Sequence, residues 1–354
     1  MRLADAYTSK AVALVDRTNA SNRIPYLGAG LFPPKKKMGL DLKWIKTSKG
    51  LPVSLSPSAF DTVSTIRSRE GFVQDETEMA FFKESMIVKE TDEQEIMRVE
   101  SADDPYAIEV LRSVYDDANT LIEGARVVPE RMIMQLLTPA NGHPGISISF
   151  NGASYVYNYD PDNSYATNNF ASLSGTSVWS DTTNADPVAD VQAGKTAVED
   201  LTGSTPRYMI VSRQTMNYLL NNAKVRNYVL AQNAVATVVM TDERVKEVFR
   251  TQLGIEIIVY TKKYRDESGT VQKFFPDGFA TLIPEGALGN TYRGVTPEER
   301  TGVQNPSADV TVLEDGIAVS VTVTDDPVQT KTTVSEIVLP SFERMDECYT
   351  IKAY

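Results

Sequence analysis

The chain has 354 residues and a formal net charge of −12, with 42% hydrophobic and 23% charged residues, one cysteine and one histidine. At roughly 100–200 residues per domain, this length predicts two domains, or one with large excursions, around a core of ordinary size. The acidic balance speaks against a free binder of nucleic acid that draws its affinity from neutralised phosphates. A single Cys348 excludes an internal disulfide, and a single His143 excludes any mechanism or metal site that needs two histidines.

The N-terminal MRLADAYTSKAVALVDRTN lacks the apolar run and small-residue cleavage site of a secretion signal. No run approaches the roughly 18 apolar residues of a membrane helix, so a soluble chain made in the cytosol is expected. Residues 1–38 read as an arm. A weak helical pattern at Ala11, Leu14 and Val15 gives way to NRIPYLGAGLFPPKKK, where Pro25, Gly28, Gly30, Pro33 and Pro34 oppose regular structure. Its apolar residues Ile24, Tyr26, Leu27, Leu31 and Phe32 cannot bury themselves, so the arm is expected to lie on its own chain or on a neighbour.

Residues 39–72 alternate apolar and polar positions. Leu40, Leu42 and Trp44 precede a Ser-Lys-Gly turn, and Val53 and Leu55 follow it, which predicts a long two-stranded hairpin. Alone in water such a hairpin is marginal and needs a partner. A strand in MAFFKESMIVKE and an acidic stretch ending ESADD come next. Then Ala107, Val110, Leu111, Val114, Ala118, Leu121, Ile122 and Ala125 recur at steps of three and four. With Asp103 or Asp104 as cap and Pro105 in the first turn, they predict one long helix over Pro105–Leu137, kinked at Pro129.

GISISFNGASYVYNY predicts a hairpin around its Asn-Gly turn. A polar loop over 160–186 leads to three predicted helices, in DPVADVQAGKTAVEDLTG, SRQTMNYLLNNAKVRNYVLA and TDERVKEVFRTQLG. Strands are expected in RYMIVS, IEIIVYTKKY, FATLIP, GIAVSVTVTD and TVSEIVLPSFE. Helices and strands mix without strict alternation, so the fold class is α+β.

Candidate chemistry is sparse. Gly28-Ala29-Gly30 lacks the third glycine and the strand–helix setting of a phosphate loop. Asp160, Asp162 and Ser164 open like a calcium loop, but Tyr165 and Ala171 stand at its sixth and twelfth positions, so a solvated acidic turn is expected. His143 reads as a surface turn residue and Cys348 as a packed thiol. Glu90, Asp92, Glu93 and Glu95 read as a solvated face, and Lys35-Lys36-Lys37 as a short basic run on the arm. No nucleophile–base pair or metal cluster emerges. The expectation is a protein that is not an enzyme and takes no cofactor or metal.

Four segments in order carry a family resemblance. Pro52–Gly71, PVSLSPSAFDTVSTIRSREG, resembles a Ser-Pro segment with an Arg-Ser-Arg-x-Gly-like ending that closes an extended loop. Trp179–Val191, WSDTTNADPVADV, is similar to a Trp-Ser, Asp-Pro and Asp sequence leading into a domain's first helix. VYTKKY followed by FFPDGFATLIPEGALGNTYRG resembles an aromatic-x-Pro-Asp turn, a strand and a glycine-rich stretch. The last is DDPVQTKTTVSEIVLPSFERMDECYTIKAY. Together they resemble the lambda-type major capsid proteins of tailed phages, the phage major capsid protein E family.

The resemblance implies the Hong Kong phage-type major capsid fold. That means an N-terminal arm (1–38), an extended β-hairpin loop (39–72), a peripheral domain with a long spine helix (73–180 plus 317–354) and an axial domain (181–316). It implies a head protein that forms pentamers and hexamers in an icosahedral shell, assembled in the host bacterial cytoplasm and resident in the virion. Partners would be copies of the chain and scaffold, portal and decoration proteins, with double-stranded DNA enclosed but not read and no membrane. Interface residues would be Trp44, Ile45, Leu51, Val53, Leu55, Arg67 and Arg69 of the loop, and Gly286, Gly289, Tyr292 and Arg293 of the glycine-rich stretch. The alternative is a tail or decoration structural protein, which the long amphipathic helix opposes.

Overall fold

A computed structural model of the chain describes residues 7–45, 74–88, 105–150, 153–232, 239–305, 308–313, 316–325 and 328–354. The interior of the expected long hairpin and the Glu90–Glu95 cluster lie outside them.

The arm carries helix α1 (Ser9–Thr18), capped by the Thr8 side chain, a single helical turn α2 (Gly28–Leu31) and strand β1 (Pro34–Lys36). Strands β2 (Asp41–Ile45) and β3 (Gln74–Glu78) pair with each other, and β4 (Ala80–Val88) follows. Helix α3 spans Pro105–Leu137 with Pro129 inside it, on the expected bounds. Strands β5 (Gly145–Phe150) and β6 (Ala153–Asn158) form the expected antiparallel hairpin. Next come α4 (Ser164–Asn168), β7 (Phe170–Ser172), α5 (Pro187–Thr202), β8 (Tyr208–Val211), α6 (Arg213–Asn221), α7 (Ala223–Gln232) and α8 (Asp242–Leu253). Strands β9 (Glu256–Val259), β10 (Lys263–Arg265), β11 (Val271–Lys273), β12 (Phe279–Ile283) and β13 (Asn290–Arg293) precede α9 (Pro297–Gln304). Strands β14 (Asp309–Val312), β15 (Ala318–Asp325), β16 (Val328–Ser341) and β17 (Tyr349–Lys352) complete the chain.

The chain divides into two units. The first takes Met1–Lys43, Glu76–Arg131 and Asn290–Ser341. Its six-stranded sheet runs β1-β13-β16-β15-β14, with β4 also paired to β16. The long β16 holds β4 on one side and, end to end along the other, β15 and β13. Period-2 alternation gives the sheet an apolar face, where Val319, Val321 and Val334 pack with Val114, Ala118, Leu121 and Ile122 of α3. The arm closes this core with Tyr7 and Val12, and the Tyr7 hydroxyl lies 2.8 Å from Thr332 Oγ1. The arm therefore lies on its own chain. Its Gly- and Pro-rich stretch is also less irregular than expected, because Gly28 N donates to the buried Glu130 (2.8 Å) and β1 finds a parallel partner in β13.

The second unit takes Trp44–Asp75, Met132–Gly289 and Phe342–Tyr354. Its five-stranded sheet has the order β7-β17-β12-β8-β9. Strands β8 and β9 are parallel, so a crossover of α6, α7 and α8 must join them. Val188, Val191, Met216, Leu219, Val225, Val245 and Phe249 of the helices pack with Met209, Val211, Ile257, Ala280 and Leu282 of the strands. Close packing leaves no room for a side chain at Gly194 of α5, whose Cβ would sit 2.7 Å from Tyr349 Cδ1.

Two expectations differ from the structure here. SRQTMNYLLNNAKVRNYVLA forms two helices, because the buried Asn222 takes extended backbone and its side chain accepts from Lys224 N and Val225 N, each at 3.0 Å. The chain also divides into contact units at other points than the domain bounds the resemblance implied. Residues 132–180 and 342–354 group with the second unit, and 290–316 with the first. Pairing between distant strands decides membership, β17 with β12 and β13 with β16.

Candidate assembly surfaces

The expected interface residues separate into three groups. Trp44 and Ile45 end β2. Leu51, Val53, Leu55, Arg67 and Arg69 lie outside the described residues. Gly286, Gly289, Tyr292 and Arg293 are placed in detail.

Gly286 has φ +94°, which an L side chain rarely adopts, and it turns the chain after β12. Arg344 fixes that turn by donating through Nη1 to Glu285 O and Ala287 O, both at 3.0 Å. Gly289 is buried. Tyr292 is half-buried in β13, and the ammonium groups of Lys35 and Lys37 lie 5.7 and 5.8 Å from its ring centroid. The basic run is thus partly spent within the chain, and Lys36 pairs with Glu299.

Arg293 does not reach the surface. Its guanidinium pairs with Glu336 of β16 inside the sheet, with 8% and 1% of the two side chains exposed. Gly316, at φ +81°, lies against its aliphatic stem. Gly294 beside it is equally internal, since a Cβ there would meet Ile337 Cγ2 at 2.6 Å. Glu336 in the middle of the apolar run TVSEIVLP is the sequence signal that could have pointed to a buried cationic partner.

The loop expected as a solvated acidic turn is built inward at its first residue. Asp160 is fully buried and accepts from Tyr165 N (2.9 Å) and Ala166 N (3.1 Å), with His143 Nδ1 at 3.0 Å. Its oxygens serve backbone amides of α4, and the loop orders the chain ahead of β7. Cys348 is buried as expected, and burial raises its thiol far above the ordinary range, which keeps it a thiol. Among the described residues no group of three His, Cys, Asp or Glu side chains is placed to hold a metal ion, and no helix is long and apolar enough to cross a membrane.

A long helix laid on a sheet that the arm also joins, in a chain that carries a second mixed helix–sheet unit, matches the Hong Kong phage-type capsid fold. Known structures share this fold. A phage-related protein from Bordetella bronchiseptica RB50 is similar with a TM-score of 0.57 at 18% identity, covering 98% of this chain and 97% of that one. A prophage protein of Escherichia coli CFT073 gives 0.59 at 14%, covering 98% and 99%. The capsid subunit of cyanophage A-1(L) gives 0.53 at 13%, covering 92% and 91%. No curated protein sequence matches the chain. The chain belongs to the phage major capsid protein E family, whose model matches residues 11–353. It is a virion structural protein, and the tail or decoration alternative is not favoured.

Proposed function

We propose that the protein assembles from copies of itself into pentamers and hexamers, and these into an icosahedral shell that encloses packaged double-stranded DNA. The family match over residues 11–353 carries this reading. The first unit, with the long helix and six-stranded sheet, would serve as the peripheral domain. The second from about residue 181 onward would be the axial domain, directed to the five- and six-fold axes, with 145–180 left to the peripheral domain. Segment 39–72 would be the extended loop that overlaps a neighbour, with Leu51, Val53, Leu55, Arg67 and Arg69 in the contact. Closed symmetry supports it, because one patch repeated around an axis multiplies its contribution. The net charge of −12 suits a shell that holds DNA without gripping it. Scaffold, portal and decoration proteins would be further partners, with assembly in the host bacterial cytoplasm, and the chain would have no catalytic role.

The test is electron microscopy of the purified protein. Rings or shells are expected. Replacing residues 46–73 by a short Gly-Ser linker should leave a folded subunit that fails to close shells. A strictly monomeric wild-type protein across salt and concentration would sink the reading, and normal shells from the linker variant would remove the loop's role.

A further inference from the structure

One strand edge of the second unit is built unlike the others. An open row of backbone N–H and C=O groups is a template for another chain, and edge strands are ordinarily blunted by charge, proline or short length. The described sheet edges follow this rule. Strand β1 is Pro34-Lys35-Lys36, β4 carries Lys83 and Glu84, β9 opens on Glu256, β14 opens on Asp309, and β7 has three residues. Strand β6 has none of these devices, and among the described residues it pairs with β5 alone. From Pro144 to Tyr159 there is no Asp, Glu, Lys or Arg, in a chain that is 23% charged.

The opposite edge of the hairpin is engaged at Ser147. The Gln135 side chain accepts from Ser147 N (3.0 Å) and donates to Ser147 O (3.2 Å). Ser147 therefore directs its backbone groups away from β6. Its cross-strand partner is Val156, and residues of an antiparallel pair alternate inward and outward together. Ser154, Val156 and Asn158 accordingly direct their N–H and C=O groups to the open side. All three are exposed, Val156 to 70%. Ile146, Ile148, Tyr155 and Tyr157 share the other face of the hairpin, where the two tyrosine rings stack at 6.4 Å.

We propose that the open edge of β6 pairs with the same edge of a second copy about a two-fold axis, joining two hairpins into a four-stranded sheet. Charge selects this occupant. Each copy carries −12, so a self-complementary contact is opposed by like-charge repulsion wherever the surface ionises, and this edge carries no ionising group. Geometry agrees, because adding a strand satisfies the outward N–H and C=O groups of an edge strand. The inference rests on the reading of the protein as a subunit that assembles with its own copies, and it names a place where two copies meet.

Val156→Pro tests it, because proline there removes an N–H that points away from β5 and leaves the hairpin's own ladder in place. Val156→Thr keeps the donor and the strand preference. The proline variant should need about tenfold more protein to assemble, the threonine variant should assemble like wild type, and both should keep the wild-type circular dichroism. Cys348 is buried, so Val156→Cys adds the reactive thiol. Facing residues of paired strands sit about 4.5–5.5 Å apart at Cα, within disulfide reach. Mild oxidation should then link copies as dimers well above an Ala193→Cys control on the exposed face of α5. Normal assembly of Val156→Pro together with no dimer band from Val156→Cys overturns the pairing and leaves the assembly reading standing. Failure of the wild-type protein to assemble sinks that reading, and cross-linking of Val156→Cys in solution still decides the pairing.

Discussion

Arg293 and Glu336 form an ion pair inside the six-stranded sheet of the first unit, with 8% and 1% of their side chains exposed. Removing one partner of such a pair strands a charge where water cannot reach it, at a cost of about 3–5 kcal/mol. Arg293→Ala and Glu336→Ala should each lower the unfolding midpoint of the isolated subunit. An apolar pair, Arg293→Met with Glu336→Leu, should recover most of the loss. A surface contact residue would behave differently, with unchanged subunit stability and impaired assembly. Thermal unfolding of the unassembled protein separates the two, and an unshifted midpoint for Arg293→Ala would return this residue to the interface.

The arm is held by a second buried carboxylate. Asp16 of α1 accepts from Arg126 of α3 at 2.7 and 2.9 Å and from Arg23 at 2.5 Å. Burial pushes its carboxyl up, but the hydrogen bonds and charges of Arg126 and Arg23 outweigh burial and hold it below the ordinary value of 3.8. A depressed carboxylate contributes stability that is full above the unfolded pKa and is lost as the pH falls through the folded one. The α1 contact should therefore hold above about pH 4 and loosen below it. Hydrogen exchange over residues 9–18 should show protection falling in that window. Arg126→Ala should remove most of that protection at neutral pH.

How much of this was legible follows the range of the interactions. Helix α3 could be read to its ends because its signals are local, apolar steps of three and four after Pro105. The β5–β6 hairpin was legible for the same reason, with two alternating runs around Asn-Gly. The parallel pairing of β1 with β13 was not, because it joins segments over 250 residues apart (Pro34 with Thr291) and leaves no local pattern. Arg293 was expected among the interface residues of the glycine-rich stretch, yet in β13 it shares the buried face with Thr291. Sequence shows the residue type, and only the partner strand shows Glu336 on the same face, two residues along from Val338, which pairs with Arg293. Asp160 failed likewise, since an acidic turn looks solvated until the amides it caps are counted.

Asn222 tests the helix break. It is fully buried, accepts from Lys224 N and Val225 N, and donates through Nδ2 to Ala185 O at 3.1 Å. Loss of a cap of this kind costs about 1–2 kcal/mol, and stranding a buried carbonyl adds to it. Asn222→Ala should thus destabilise by about 2 kcal/mol or more, whereas Asn221→Ala, one residue earlier and exposed, should be near neutral. Equal stability of the two variants in urea titrations would show that α6 and α7 act as a single helix after all.

Helix α9 of the first unit is held with little apolar support. None of its residues is fully buried, and Val303 is 80% exposed. What ties it down is polar. Glu298 accepts from Lys83 and from Ser335 Oγ (2.7 Å), and Glu299 pairs with Lys36. The lysines are about half exposed, so each pair contributes only about 0.5–1 kcal/mol and is open to screening by salt. Burial raises the Glu298 carboxyl, but the Lys83 and Ser335 hydrogen bonds prevail and lower it below 4.5. Its contribution is therefore full above about pH 5 and lost as the pH falls through 4 and below. Amides of residues 297–304 should exchange faster in molar salt, and faster again at acid pH. The amides of β16 beneath them should stay protected. Lys83→Ala should reproduce the salt effect at low ionic strength. If α9 and β16 instead exchange together under all these conditions, the helix is part of the cooperative core and the ionic contacts are not what holds it.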